Sequence, residues 1–206
     1  FLAEKYGCHI IEDDYVSELD YEGRGLKPLK ALDKRERVIF IKSFSNTFMP
    51  GLRLGFMVIP PDIHSNLLRA KHASDISTSG LVQRGFDRYM RKGLWDKHFN
   101  YMYGSYKKKY NKTIQCLRAC LPSKVTFESP GGGLSIWLRL PYGVQMGRLL
   151  EDAVSHGIAF TPGKIFYSTS PDRLNHFRLS FASVALSDIE EGIKTICRLL
   201  KQLSDI

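Results

Sequence analysis

Within eleven residues the chain sets two hydroxyls, Ser43 and Ser45, and one guanidinium, Arg53, between Pro and Gly punctuation. These are groups that hold a phosphate: hydroxyl donors reach in close, and a planar guanidinium meets two anionic oxygens at once. Serine-rich turns beside an arginine are common, so the residues alone also fit an ordinary turn. A second cluster, Glu12-Asp13-Asp14-Tyr15, closes an apolar run. On a strand, alternation puts Asp13 and Tyr15 on one side and Asp14 on the other. A carboxylate there can keep a pyridinium nitrogen protonated, which makes the ring an electron sink, and a phenol two residues on can donate to a ring hydroxyl. The plainer alternative is an acidic turn that caps a helix.

Such groups need elements to deliver them. Residues 7–15 and the run Val38-Ile39-Phe40-Ile41 read as buried strands, and ligands of open α/β sheets gather at the carboxyl ends of strands. Leu54–Ile59 reads as a further buried strand closed by Pro60-Pro61, with a helix over 62–73. From about Leu81 to Leu121 apolar and aromatic residues recur by threes and fours, with a break at Gly93; this predicts long helices, ended by Pro122. The remainder has an α+β pattern: strands at 125–127, 134–140, 158–160 and 176–181, a helix over 145–156, and a last helix opened by a capping box from Ser187 to Glu190. Gly131-Gly132-Gly133 precedes a strand rather than a helix, so it reads as a turn needing positive backbone angles and not as a phosphate loop.

The stretch from Ser43 to Gly55, S-F-S-N-T-F-M-P-G-L-R-L-G, resembles S-x-S-K-T-x-x-P-G-L-R-L-G, the signature around the Schiff-base lysine of fold-type I pyridoxal-phosphate enzymes, the class I/II aminotransferase superfamily. The segment I-I-E-D-D-Y-V-S-E-L-D-Y-E-G is similar to E-D-D-Y-D-S-E-[FL]-x-Y-x-G in the aminotransferase-like domain of MocR-type regulators of the GntR family, with Val16 where that subgroup usually has Asp. Downstream, G-G-G-L-S-I-W-L-R-L-P, P-G-x-x-F and N-x-x-R-L-S-F-A resemble the family's small domain. The resemblance implies an α/β fold: residues 1–75 as the C-terminal part of the cofactor-binding large domain, 76–121 as interdomain helices and 122–206 as a complete α+β small domain. It implies pyridoxal phosphate as cofactor, held by Asp13, Tyr15, Ser43, Ser45 and Arg53, and no metal. It places the clamp for the substrate's α-carboxylate on Arg178, where a bidentate guanidinium contact explains arginine rather than lysine. The first strands of the large domain and any DNA-binding winged helix are expected upstream of this chain.

The departure is at the reactive position. Where the family carries its lysine, this chain has Asn46. An amide can neither anchor the cofactor nor move the substrate's α-proton; loss of a general base alone costs on the order of 10²- to 10⁴-fold. Binding of pyridoxal phosphate is therefore expected to be non-covalent at best, with the cofactor, an amino acid or their adduct as ligand. The resemblance implies the effector-binding, homodimeric part of a transcription regulator; the alternative is an aminotransferase or an inactivated variant of one.

Composition agrees with a globular protein: of 206 residues, 43% are hydrophobic and 25% charged, ordinary values. No apolar run approaches the ~20 residues of a membrane span. The first residues, Phe-Leu-Ala-Glu-Lys-Tyr-Gly, read as a helix end entering a strand, without initiator Met or signal-peptide layout. The net charge of +9 invites a nucleic-acid reading, but the densest run, Lys107-Lys108-Lys109 with Lys112, reads as a solvated helix face, and no nucleic-acid-binding motif accompanies it. Cys8, Cys116, Cys120 and Cys197 lack metal-site spacing and read as buried reduced thiols, which implies a cytoplasmic setting.

Overall fold

In the computed structural model, which describes residues 1–168 and 175–204, the chain divides into two compact units, Phe1–Tyr103 and Gly104–Ile206. In the first, a short helix α1 (Leu2–Lys5) leads into β1 (Ile10–Asp14), followed by α2 (Leu29–Leu32), β2 (Val38–Ser43) and β3 (Gly55–Val58). The sheet runs β1-β2-β3, the first pair parallel and the second antiparallel. Gly55 makes that second pairing feasible: a Cβ there would lie 2.5 Å from the Lys42 carbonyl oxygen. Helices α3 (Pro61–Asp75), α4 (Gly80–Arg91) and the start of α5 (Leu94–Cys120) follow.

The apolar runs predicted buried strands, and here the structure differs. β1 and β3 are the two edges of the sheet, and Ile11, Phe56, Met57 and Val58 are exposed. A run apolar on both faces suits a strand covered on both sides, and within this unit only β2 approaches that state. Its Lys42 is buried on the face opposite Ile41, donating to Asp14 at 3.0 Å and paired with Glu18 at 2.5 Å. Ser17 donates to Asp14 from its N–H (2.9 Å) and its hydroxyl (2.6 Å). Burial pushes the Asp14 carboxyl up, but these donors and the Lys42 ammonium outweigh it and hold the group below its ordinary value.

The second unit begins within α5 and contains β4 (Thr126–Phe127), β5 (Ser135–Arg139), α6 (Met146–Ser155), β6 (Thr161–Pro162), β7 (His176–Ser180) and α7 (Ile189–Ser204). Its antiparallel sheet has the order β4-β5-β7-β6. Alternation is clean: Ile136, Leu138, Phe177 and Leu179 are buried, and Trp137, Arg139, Arg178 and Ser180 face outward. Each fully buried side chain of this kind contributes about 1.5–3 kcal/mol. The glycine triplet is a turn, with Gly131 at φ 74° and Gly133 at φ 79°.

Two local expectations are corrected. Residues 158–160 form no strand; the Ile158 N–H is taken by the Ala153 carbonyl at the end of α6, and pairing begins only at Thr161. The capping box is not made: the Ser187 hydroxyl donates to Asp188, and Glu190 is held by Lys112 of α5 and, at 2.7 Å, by Lys194. The lysine run is thus only partly a solvated face, since Lys109 also donates to the Ala182 carbonyl. The hydrogen bond from Lys112, then that from Lys194, lowers the Glu190 pKa from 4.5 to about 2. A carboxyl depressed on folding stabilises above its unfolded pKa and loses that contribution as pH falls toward its folded one. Thermal midpoints are therefore expected to drop as pH falls from about 5 to about 2, and Glu190→Gln or high salt should flatten the drop.

Candidate ligand site

Three consecutive acids end β1, and two are consumed by the fold. Glu12 accepts the N–H groups of Leu29 (2.6 Å) and Lys30 (2.8 Å) at the start of α2, and Asp14 belongs to the Lys42 cluster. Asp13 is exposed and has no hydrogen bond or ion pair among the described residues. Its register partner is Ile41, and Ser43 lies two residues further along β2, so Asp13 and Ser43 share one sheet face at the carboxyl edge of a parallel pair. The Asp14–Lys42 bond marks the opposite face. Tyr15, 51% exposed, follows directly. A cavity of about 280 Å³ opens here, lined by Asp13, Tyr15, Val16, Leu26, Lys27 and Pro28 among others.

The stretch after β2 is built on aromatic anchors. The Phe48 N–H reaches the Phe44 carbonyl at 2.9 Å, closing one helix-like turn. The two rings sit in a cluster with Phe86, Tyr89 and Trp95, with centroids 4.7 Å apart for Phe44–Phe86 and 5.0 Å for Phe48–Tyr89. Thr47 is fully buried, and His98 lies 3.1 Å from its carbonyl oxygen. With one side of the turn fixed, Asn46 stands exposed on the other. The Ser43 hydroxyl accepts from the Ser45 N–H at 3.2 Å, which leaves its own hydrogen free to donate. Arg53 closes the Pro50–Leu52 turn in the left-handed region, φ 52° and ψ 42°, with its side chain exposed. For a residue with a Cβ this costs about 1–2 kcal/mol, and such strain concentrates where side chains bind ligands. Ser43, Ser45, Asn46 and Arg53 do not line the Asp13 cavity.

Arg178 lies in the second unit, on the outward face of β7 opposite Trp137 of β5. Its guanidinium stacks 5.0 Å from the Phe166 ring centroid and donates to Thr161 at 3.4 Å. Trp137 in turn stacks on His176, centroids 5.4 Å apart. Burial, with help from Arg139, lowers the His176 pKa, so this imidazole favours the neutral form beside the arginine. Of these neighbours only Arg178 was singled out from the sequence; the others become visible once the register of β5, β6 and β7 is known.

No protein-family model matches the chain. It is 34% identical over 201 residues to aromatic-amino-acid aminotransferase 1 of Thermococcus litoralis, covering 98% of this chain and 48% of that one. It is 30% identical over 203 residues to an uncharacterized HTH-type transcriptional regulator of Bacillus subtilis, YdfD, covering 98% and 42%. The chain spans about half the length of the curated relatives it matches. The structure of LysN, an α-aminoadipate aminotransferase of Thermus thermophilus complexed with N-(5'-phosphopyridoxyl)-L-leucine, superimposes with a TM-score of 0.90 at 29% identity, over 99% of this chain and 53% of that one.

Proposed function

The chain belongs to the fold-type I pyridoxal-phosphate-dependent aminotransferase superfamily, of which it spans the C-terminal half, and from that premise we propose that it is part of the effector-binding domain of a MocR/GntR-type regulator. In this reading the ligand is pyridoxal phosphate or its adduct with an amino acid, recognised without a covalent anchor. The observation that carries it is the combination at one strand edge: among the described residues Asp13 alone of the three acids has no protein partner, while Asn46 stands exposed on the turn where the resemblance places the family's lysine.

The residue types fit the cofactor. Asp13 can accept from a pyridinium N–H and hold that proton in place, and Tyr15 can donate to a ring hydroxyl. Ser43 has a hydrogen to give to a phosphate oxygen, Ser45 adds a second hydroxyl, and Arg53 supplies two parallel N–H donors. Arg178 can clamp a carboxylate in the same bidentate way, with Phe166 under its plane fixing its orientation. Pyridoxal phosphate, when bound, supplies an electron sink for amino-acid chemistry. Asn46 can hydrogen-bond but has no amine, so this chain's own residues bind and orient without a base at that position.

The second reading, an aminotransferase or an inactivated variant of one, is favoured by the match to aminotransferases on sequence and structure alike. Both readings fit a cytoplasmic homodimer, with DNA contacted only through a further domain. Among the described residues no helix is long and apolar enough to cross a membrane.

Arg53→Gly tests the phosphate role and separates it from folding. Glycine adopts the left-handed backbone without penalty, so stability is expected to stay within about 1 kcal/mol. Affinity for a phosphopyridoxyl amino acid should fall about 10- to 100-fold, the worth of one charged hydrogen-bonding group. Unchanged affinity would remove Arg53 from the site.

A further inference from the structure

The expectation of reduced thiols fails at one pair: Cys120, the last residue of α5, and Cys197 on α7 are joined as a disulfide, their Cα atoms 5.9 Å apart and 77 residues apart in sequence. That separation lies inside the ~4.4–6.8 Å range in which two cysteines bond without backbone movement. Strands β4 to β7 and α6 all lie between the two residues, so the bond closes a loop around the whole antiparallel sheet. The two sulfurs differ in access: Cys197 is 2% exposed, whereas Cys120 is half-buried at the helix end. The dithiol form is provided for as well. The Cys120 sulfur lies 3.9 Å from the Ile193 carbonyl oxygen, an acceptor for its S–H once the bond is open. Cys197 then packs as a small apolar side chain. Nor does the pairing of the helices rest on this bond alone: Lys112 of α5 meets Glu190 of α7, and Leu117, Ile193, Ile196 and Leu200 are buried along them.

We propose that Cys120 and Cys197 form a reversible thiol–disulfide site, a tie between α5 and α7 that small thiols and disulfides of the glutathione class open and close in the folded protein. Opening begins at the Cys120 sulfur, the accessible one. A glutathione thiolate attacks it, and a mixed disulfide forms there as the Cys120–Cys197 bond breaks. The electron pair leaves on Cys197, which takes a proton. A second glutathione thiolate attacks the glutathione sulfur of the mixed disulfide and releases Cys120, which is protonated in turn. In sum, the protein disulfide and two glutathione thiols give the protein dithiol and one oxidised glutathione; two electrons pass, and the protons that the glutathiones give up end on the cysteines. Closing is the reverse, with oxidised glutathione as the oxidant. The consequence falls on the unfolded chain: a bond that closes so long a loop removes conformational freedom there, so oxidation raises the stability of the second unit and reduction lowers it.

The test is disulfide mapping of the native protein equilibrated in glutathione buffers of graded redox state. Free thiols are blocked at low pH and the chain is cut with trypsin, which puts Cys120 on the peptide 119–124, Cys197 on 195–198 and Cys116 on a third. Expected is a 119–124 to 195–198 link in oxidised glutathione, its replacement by two blocked thiols in reduced glutathione, and full return when the buffer is exchanged back. The thermal midpoint of the oxidised form should exceed that of the reduced form by on the order of 10 °C. Cys120→Ser, which keeps a donor for the Ile193 carbonyl, should fold and show no such redox-dependent shift, whereas Cys116→Ser should keep both the link and the shift. The proposal is overturned if both thiols of the folded protein remain free in oxidised glutathione. It is equally overturned if the link resists reduced glutathione until the protein is denatured, or if reduction unfolds the chain.

Discussion

Asn46→Lys, in a chain that also carries the upstream half of the fold, is expected to hold pyridoxal phosphate covalently, in an adduct that borohydride fixes on residue 46. The unsubstituted protein should give none. The turn is held by Phe44, Phe48 and buried Thr47, with His98 on the Thr47 carbonyl, while the Asn46 side chain is exposed. An amine on a longer stem therefore enters without disturbing the anchors, and the cost to stability should stay within about 0.5 kcal/mol, as for other surface changes. Restoring the base should raise turnover of an amino acid on the order of 10²- to 10⁴-fold over the Asn46 protein. A folded Asn46→Lys chain without a reducible adduct would mean that the surrounding groups no longer form a cofactor site.

The second large effect is on stability. Lys42→Ala is expected to cost about 3–5 kcal/mol, because it strips the counter-ion from a buried carboxylate. The Lys42 and Asp14 side chains are 7% and 8% exposed, and Glu18 loses its partner as well. Urea unfolding should show the midpoint move with little change in slope. The double variant Lys42→Met with Asp14→Leu should recover part of the loss, since the most deeply buried carboxylate is removed with its counter-ion and only the partly exposed Glu18 is left without a partner. A single-variant cost below about 1 kcal/mol, the range of exposed pairs, would show that the cluster is solvated in practice. Because Asp14 is held low on folding, its contribution is present at neutral pH and is lost as the medium is acidified through the carboxylate range.

What the sequence made legible was whatever depends on neighbours in the chain. Apolar runs located β2 and β5, threes and fours located α4 and α5 with the break at Gly93, and alternation assigned Asp13 and Asp14 to opposite faces. What it hid depends on residues far apart. Glu12 looked like part of an acidic edge because its partners, Leu29 and Lys30, lie 17 and 18 residues on. Lys42 drew no notice in the sequence because its acids come from β1 and the segment after it. Glu190 fits a capping box by spacing, yet a lysine 78 residues upstream competes for it. The exposure of β1 and β3 was equally invisible, since an apolar run reports that a strand suits burial and not that anything covers it. For the ligand site, residue types and strand ends were readable; the left-handed backbone at Arg53, Lys27 in the Asp13 cavity and the Phe166 ring under Arg178 were not.

Equilibrium titration of the folded Asn46 protein, including its upstream half, with N-(5'-phosphopyridoxyl)-L-amino acids tests the central claim most directly. These adducts supply the ring nitrogen and phosphate that Asp13 and Arg53 would meet, and they need no lysine. The account predicts saturable one-site binding that Asp13→Ala and Arg53→Gly each weaken without unfolding the protein. Absence of binding, or binding indifferent to both substitutions, would contradict it.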